Sequence, residues 1–183
     1  MTADIATPAE IVAFWLQAGP GKWFSKDGAF DADIRARFLP AHEAAMAGTL
    51  HGWEAAPESA LALLLLLDQF PRNLFRGTSK AFAGDAKARR IAGLAIGRGF
   101  EATMSQRHRI FLYLPFEHSE DLRDQERSVI LFATLDDPRG YDYAVRHRDI
   151  VARFRRFPHR NEALGRESTA EEIEFLKTPG SSF

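Results

Sequence analysis

The chain has 183 residues, 45% of them hydrophobic and 27% charged, with a formal net charge of -1. That is the composition of a globular chain able to bury a core without covalent staples. So near-neutral a total supplies no overall field for nucleic acid or an anionic membrane. The lack of cysteine excludes disulfides, zinc–thiolate sites, iron–sulfur clusters and a thiol nucleophile.

Met1 to Ala9 shows no basic residue followed by an apolar run, so no secretory leader is expected. The longest apolar stretch falls short of the roughly 20 residues that span a bilayer. A cytoplasmic protein without membrane contact is expected, folded as one domain over residues 1–183 with 178–183 as a tail.

In chain order, Thr7-Pro8-Ala9-Glu10 carries a capping box and an N-terminal proline. The helix it starts ends by Ala18, before Gly19-Pro20-Gly21. Lys22 to Gly28 reads as a loop that tucks Trp23 and Phe24 inward. Asp31 is the expected cap of a second helix, with Ile34, Phe38, Ala41 and Ala45 on its apolar face and Gly48 at its end. Pro40 is expected to kink or divide it.

Pro57 opens the central helix. Leu61 to Leu67 is apolar on every side and so belongs in the middle of a fold. This run ends abruptly in Asp68-Gln69-Phe70-Pro71-Arg72-Asn73. Proline pushes the preceding residue out of helical backbone, so the helix is expected to stop near Phe70. Asp85 is read as the cap of a helix ending at Gly97 and Gly99.

Ser105 caps a helix to Leu114, and Pro115 is expected to open a longer one from Phe116 to about Leu135. Tyr141 to Phe157 reads as a helix stopped by Pro158, with His147 on its apolar stripe of Tyr143, Ile150, Phe154 and Phe157. Ser168-Thr169 caps a last helix, Ala170 to Lys177. No stretch alternates with the period of a half-buried strand. The class is all-α, a single-domain stack of about seven to nine helices, without a tetratricopeptide consensus repeat.

Three polar segments could carry chemistry. Phe70-Pro71-Arg72-Asn73 and Phe157-Pro158-His159-Arg160-Asn161 each follow a buried helix and present arginine and asparagine from its end. Glu117, Glu120 and Asp124 fall at i, i+3 and i+7, one face of the expected Phe116–Leu135 helix. Carboxylates so close need arginine, metal or solvent, and Arg72, Arg153, Arg156 and Arg160 are the expected partners. Glu-x-x-His and His-Glu-x-x-His are absent, so no metal is predicted, and no cofactor motif occurs.

His118 and His159, at helix ends beside charged residues, are the general acid–base candidates, with Glu117 or Asp68 as partner. His147, on an apolar stripe, reads as a core histidine sensitive to buried acids. Fifteen arginines and no lysine lie between Lys87 and Lys177. Codon bias accounts for this, and so does a need for planar donors that grip carboxylate or phosphate.

Leu65 to Asn73, Phe111-Leu112-Tyr113-Leu114-Pro115-Phe116-Glu117-His118-Ser119-Glu120 and Arg153 to Asn161 resemble the bacterial "domain of unknown function" family nine-two-four. Phe30-Asp31, Gly48-Thr49-Leu50, Asp124-Gln125, Leu164 to Thr169 and Phe175-Leu176 fit as well. The resemblance covers essentially the whole chain. It implies an all-helical fold classed with tetratricopeptide-like superhelices and carries no established activity.

The reading expected is a binding module. Its polar cleft gathers Asp68, Gln69, Arg72, Asn73, Glu117, His118, Glu120, Asp124, His147, Arg153, Arg156, His159, Arg160 and Asn161. The ligand expected is a small anionic or zwitterionic molecule or a peptide terminus. The alternatives are a hydrolase or transferase using His118 or His159, and a structural ion-pair network with function on the outer surface. Nucleic acid is not an expected partner, and homo-oligomerisation stays open.

Overall fold

A computed structural model of the chain describes residues 5–182. Met1 to Asp4, the front of the stretch searched for a leader, and Phe183 of the tail lie outside the described residues. The class is all-α, with no strand among the described residues. The residues group into two compact units. The first holds residues 5–76 with Lys80–Pro115, and the second holds Gly77–Ser79 with residues 116–182.

In the first unit, Thr7 caps α1 (Pro8–Ala18) with a full capping box, its N–H donating to Glu10 Oε2 at 2.7 Å. The next residues form one helical turn, α2 (Pro20–Trp23), that buries Trp23 and donates its indole N–H to the Trp15 carbonyl. Phe24, expected inside, is 67% exposed. Helix α3 (Gly28–Ala47) starts one turn earlier than expected. Asp27 accepts from the Ala29 and Phe30 N–H groups, and Asp31 lies in the first turn. Pro40 neither divides nor ends α3. An interior proline costs about 3 kcal/mol, and both sides of Pro40 bury apolar surface, Ile34 and Phe38 before it and Ala41 and Ala45 after.

The apolar post runs from α4 (Pro57–Leu64) through a π-helical segment, Leu65–Gln69, into α5 (Phe70–Leu74). It does not stop at Phe70. Phe70 N–H reaches back five residues to the Leu65 carbonyl. The next donor in that pattern would be residue 71, a proline with no N–H. His42 Nδ1–H supplies the missing donor, reaching the Leu66 carbonyl at 2.8 Å. Leu61 to Leu67, Phe70 and Leu74 are all buried, each large side chain contributing about 1.5–3 kcal/mol. That sum outweighs one irregular turn.

Gly84 presses on the same segment. A Cβ built there would meet the Leu67 carbonyl oxygen at 2.2 Å. Helix α6 (Asp85–Gly97) follows with Asp85 inside its first turn and no side-chain cap. Within this unit α1 packs on α4, α3 on α5, and α4 on α6.

Helix α7 (Gln106–Glu117), capped by Ser105, carries Pro115 inside it, and the boundary between the units falls after that proline. The break comes later than expected, at His118–Asp121. Asp121 caps α8 (Leu122–Phe132), and Asp137 caps α9 (Pro138–Phe154) by accepting from Gly140 N–H. Helix α9 stops at Arg155, in left-handed backbone at φ 61°, and Pro158 then opens a short 3-10 turn, Pro158–Arg160. Thr169 and Glu172 form the capping box of α10 (Ala170–Leu176). Ile150, Val151 and Phe157 form a buried cluster in this unit, with Phe154 and Phe175 against it.

Candidate functional site

In the second unit the turn after α7 and the turn after α9 meet. Phe157 N–H donates to Glu120 Oε1 at 2.7 Å, and Arg160 Nη1 donates to the His118 carbonyl at 3.0 Å. These bonds join the segments Glu117–Asp124 and Arg153–Asn161, two of the three that the sequence reading placed in one cleft. The reason differs, because the acids do not share one helical face. Glu117 ends α7, Glu120 sits in the turn, and Asp124 lies in α8. Asp124 accepts from Ser119 O–H at 2.7 Å, and Ser119 Oγ accepts from Asp121 N–H. Gln125 Nε2 donates to the Glu117 and Ser119 carbonyls, both at 2.6 Å, and so holds the turn.

Two sets of residues separate by what they touch. The first is an ion-pair ladder. Arg166 donates to both oxygens of Glu120 at 2.7 and 2.9 Å, and its Nε–H donates to Asn161 Oδ1 at 3.0 Å. Asn161 Nδ2 donates to Ser168 Oγ at 3.0 Å. Arg156 grips Glu172 through Nε and Nη2 at 2.6 and 2.7 Å. The Arg156 hydrogen bonds hold the Glu172 carboxyl at about 2 against the cost of its burial, and the Thr169 N–H helps. For Glu120, burial acts to raise the carboxyl, but hydrogen bonds from Arg166 and from Phe157 N–H leave it lowered. Arg153 pairs with Glu171 at an exposed position.

The second set surrounds Phe157. The His147 ring meets it edge-on at 5.5 Å, the His159 ring lies 5.6 Å away, and the Arg160 guanidinium stacks 4.5 Å from its centroid. The His118 and His147 rings are 6.4 Å apart. His147 Nδ1–H donates to the Tyr143 carbonyl at 2.8 Å, which assigns the tautomer, and Glu117 Oε1 lies 3.3 Å from the same nitrogen. Glu117, His147, Phe157 and Arg160 are buried, while His118 and His159 are half-buried and reach solvent. Burial pushes the His147 imidazole well below its ordinary 6.5. The Tyr143 carbonyl works against this, and the positive fields of His118, Arg160 and His159 add to it. His147 is therefore neutral at neutral pH, a donor at Nδ1 and an acceptor at Nε2.

The Asp68–Asn73 tip lies in the first unit. Asp68 is buried, and Arg72 lies between it, at 3.5 Å, and Asp85, at 3.1 Å. Arg72 also donates to the Asp68 carbonyl. Gln69 Nε2 donates to Asp68 Oδ2, and Asn73 Nδ2 donates to Asp31 Oδ1 at 2.7 Å. Arg76 donates to both oxygens of Asp31.

Sequence reasoning missed His42, Asp85, Arg166 and Glu172 as working polar groups. Glu172 was legible as the acid of a capping box. Arg166 stood in the Leu164–Thr169 motif, but its partner is 46 residues away. Nothing local to His42 or Asp85 announces a contact with the π-helical segment or its neighbour Arg72.

No helix among the described residues is long and apolar enough to cross a membrane. A search of curated proteins finds no match. A solved structure of a protein of unknown function from Agrobacterium tumefaciens is 51% identical. The match covers 93% of this chain and 96% of that one, with a TM-score of 0.89. Residues 11–180 match the family described as "Bacterial protein of unknown function (DUF924)", and with so much of the sequence accounted for, the chain belongs to that family.

Proposed function

We propose that the protein binds a small anionic or zwitterionic molecule, or a peptide terminus, at the second unit's cluster of Glu117, His118, His147, His159 and Arg160. The observation that carries this reading is that His147, His159 and Arg160 gather around Phe157, with the His118 ring and the Glu117 carboxylate against His147. His118 and His159 reach solvent, while Glu117, His147 and Arg160 are buried. Such a group offers several donors to an anion and one carboxylate to an ammonium. Glu120, Arg156 and Asn161 are spent on Arg166, Glu172 and Ser168, so they hold the turns in place and do not enter the binding set.

The test is an NMR titration of the histidine ring resonances with phosphate, acetate, glycine and a short peptide. The expected result is saturable movement of the His118 and His159 signals for at least one of these, lost in Arg160→Gln. Unmoved histidine signals across the whole set would refute the reading.

A second reading, acid–base catalysis, draws on the contact between Glu117 and His147. A neutral imidazole oriented through Nδ1 presents Nε2 as a base. On that reading His147→Gln abolishes turnover of a bound ligand while leaving its affinity intact. Chemically unchanged ligand after long incubation with the native protein would remove the catalytic reading and leave the binding one.

A further inference from the structure

Helix α8 turns an unusual face inward. Its fully buried positions are Gln125, Ser128 and Phe132, so two of the three are polar. Helix α9 follows after a short turn and makes with α8 the most extensive helix–helix contact among the described residues. Two helices so joined run antiparallel. The register is fixed where Gly140 meets Phe132, since a Cβ at Gly140 would lie 3.2 Å from the phenylalanine ring. Stepping one turn at a time in opposite directions from that contact sets Ser128 against Ala144 and Gln125 against His147. Ala144 and His147 are indeed buried positions of α9.

Among the described residues, Gln125 Oε1 and Ser128 Oγ are buried without a hydrogen-bond partner. The amide of Gln125 is not misoriented, because its Nε2 already serves two carbonyls and Oε1 is the end left unmet. A buried acceptor left unmet costs about 1–3 kcal/mol, so native interiors satisfy such atoms with protein or with water. Side chains three apart on a helix have Cβ atoms about 5–6 Å apart. Two hydrogen bonds of about 2.8 Å, meeting at the roughly tetrahedral angle of one water, join oxygens about 4.5 Å apart. The side chain opposite Ser128 on α9 is the small one of Ala144.

We infer that the α8–α9 interface holds one buried water molecule, which donates to Gln125 Oε1 and is hydrogen-bonded to Ser128 Oγ. This inference does not depend on the ligand reading. It adds an internal hydration site alongside His147 and gives a reason for a glutamine and a serine where leucines would otherwise pack.

The test uses the full-length protein. Water-to-amide NOE spectra should show a long-lived water near the amides of α8 and α9 in the native protein. Ser128→Val fills the space, so its spectrum should lose that signal. Its folding equilibrium constant should also fall about tenfold or more, because Gln125 Oε1 is left unmet. Ser128→Ala keeps the space and should retain the water with a smaller loss. The inference is overturned if native spectra show no such water, or if Ser128→Val is as stable as the native protein.

Discussion

Replacing Glu172 by alanine removes the centre of the second unit's ion-pair ladder. Glu172 is 2% exposed and accepts two charged hydrogen bonds from Arg156 at 2.6 and 2.7 Å and the Thr169 N–H at 2.8 Å. Charged hydrogen bonds contribute about 1.5–3 kcal/mol each, and the capping box about 1 kcal/mol. Stripping one partner from a buried pair costs about 3–5 kcal/mol. Arg156 keeps 27% of its side chain exposed and so recovers part of its hydration. The expected loss is therefore about 2–4 kcal/mol at neutral pH.

The acid dependence of Glu172 has a definite sign. Its carboxyl lies at about 2 in the fold against an ordinary 4.5. The unfolded chain thus takes up the proton first as pH falls, and the contribution, complete above 4.5, is lost on the way down to about 2. Urea unfolding of the native protein and Glu172→Ala at neutral pH and at acid pH measures both parts. The stability gap between them should shrink as pH falls through that window. A gap below about 0.5 kcal/mol at neutral pH, the range of ordinary surface changes, would refute the reasoning.

Further outcomes follow from other contacts. Gly84→Ala sets a methyl group 2.2 Å from the Leu67 carbonyl and should cost at least about 3 kcal/mol, the upper range for overpacking. A thermal melt close to native would contradict the close approach. Arg155→Gly relieves a left-handed residue at φ 61° and should raise stability by about 0.5–1 kcal/mol. A loss would show that the arginine side chain matters more than its backbone. His147 is held neutral below 6.5, so native stability should fall as pH drops from 6.5, by up to about 1.4 kcal/mol per pH unit. In His147→Gln that part of the slope should be absent.

Thr7, Ser105 and Thr169 were read correctly as caps, and so was the apolar periodicity of the post, whereas Asp31 and Asp85 were read as caps and lie inside first turns. Thr7, Ser105, Thr169 and the apolar post behave as their local patterns say, because those patterns act within one helical turn. Pro8 and Pro57 open their helices as read, but three other prolines do not follow the local rule. Pro40, Pro71 and Pro115 were read as kinks or boundaries, yet each sits inside a helical run. A missing N–H is a local cost of a few kcal/mol, and burial on both flanks, invisible to a local window, exceeds it. At Pro71 the donor comes from His42 on another helix. Carrying α7 through Pro115 to Glu117 also shifted the acids. Glu117, Glu120 and Asp124 separate into a helix end, a turn and a new helix, and Glu120 turns to Arg166. The meeting of the two turns through Glu120–Phe157 and Arg160–His118 joins residues 37 and 42 positions apart, a separation that no spacing rule reaches.

The proposed binding site comprises Glu117, His118, His147, His159 and Arg160. Calorimetric titration of the native protein and of Arg160→Gln with phosphate, glycine and a short peptide tests it most directly, with thermal melts of both to confirm folding. Saturable heat from at least one of these with the native protein, lost in a folded Arg160→Gln, is the result predicted. Equal binding by both proteins, or none by either, would contradict the claim.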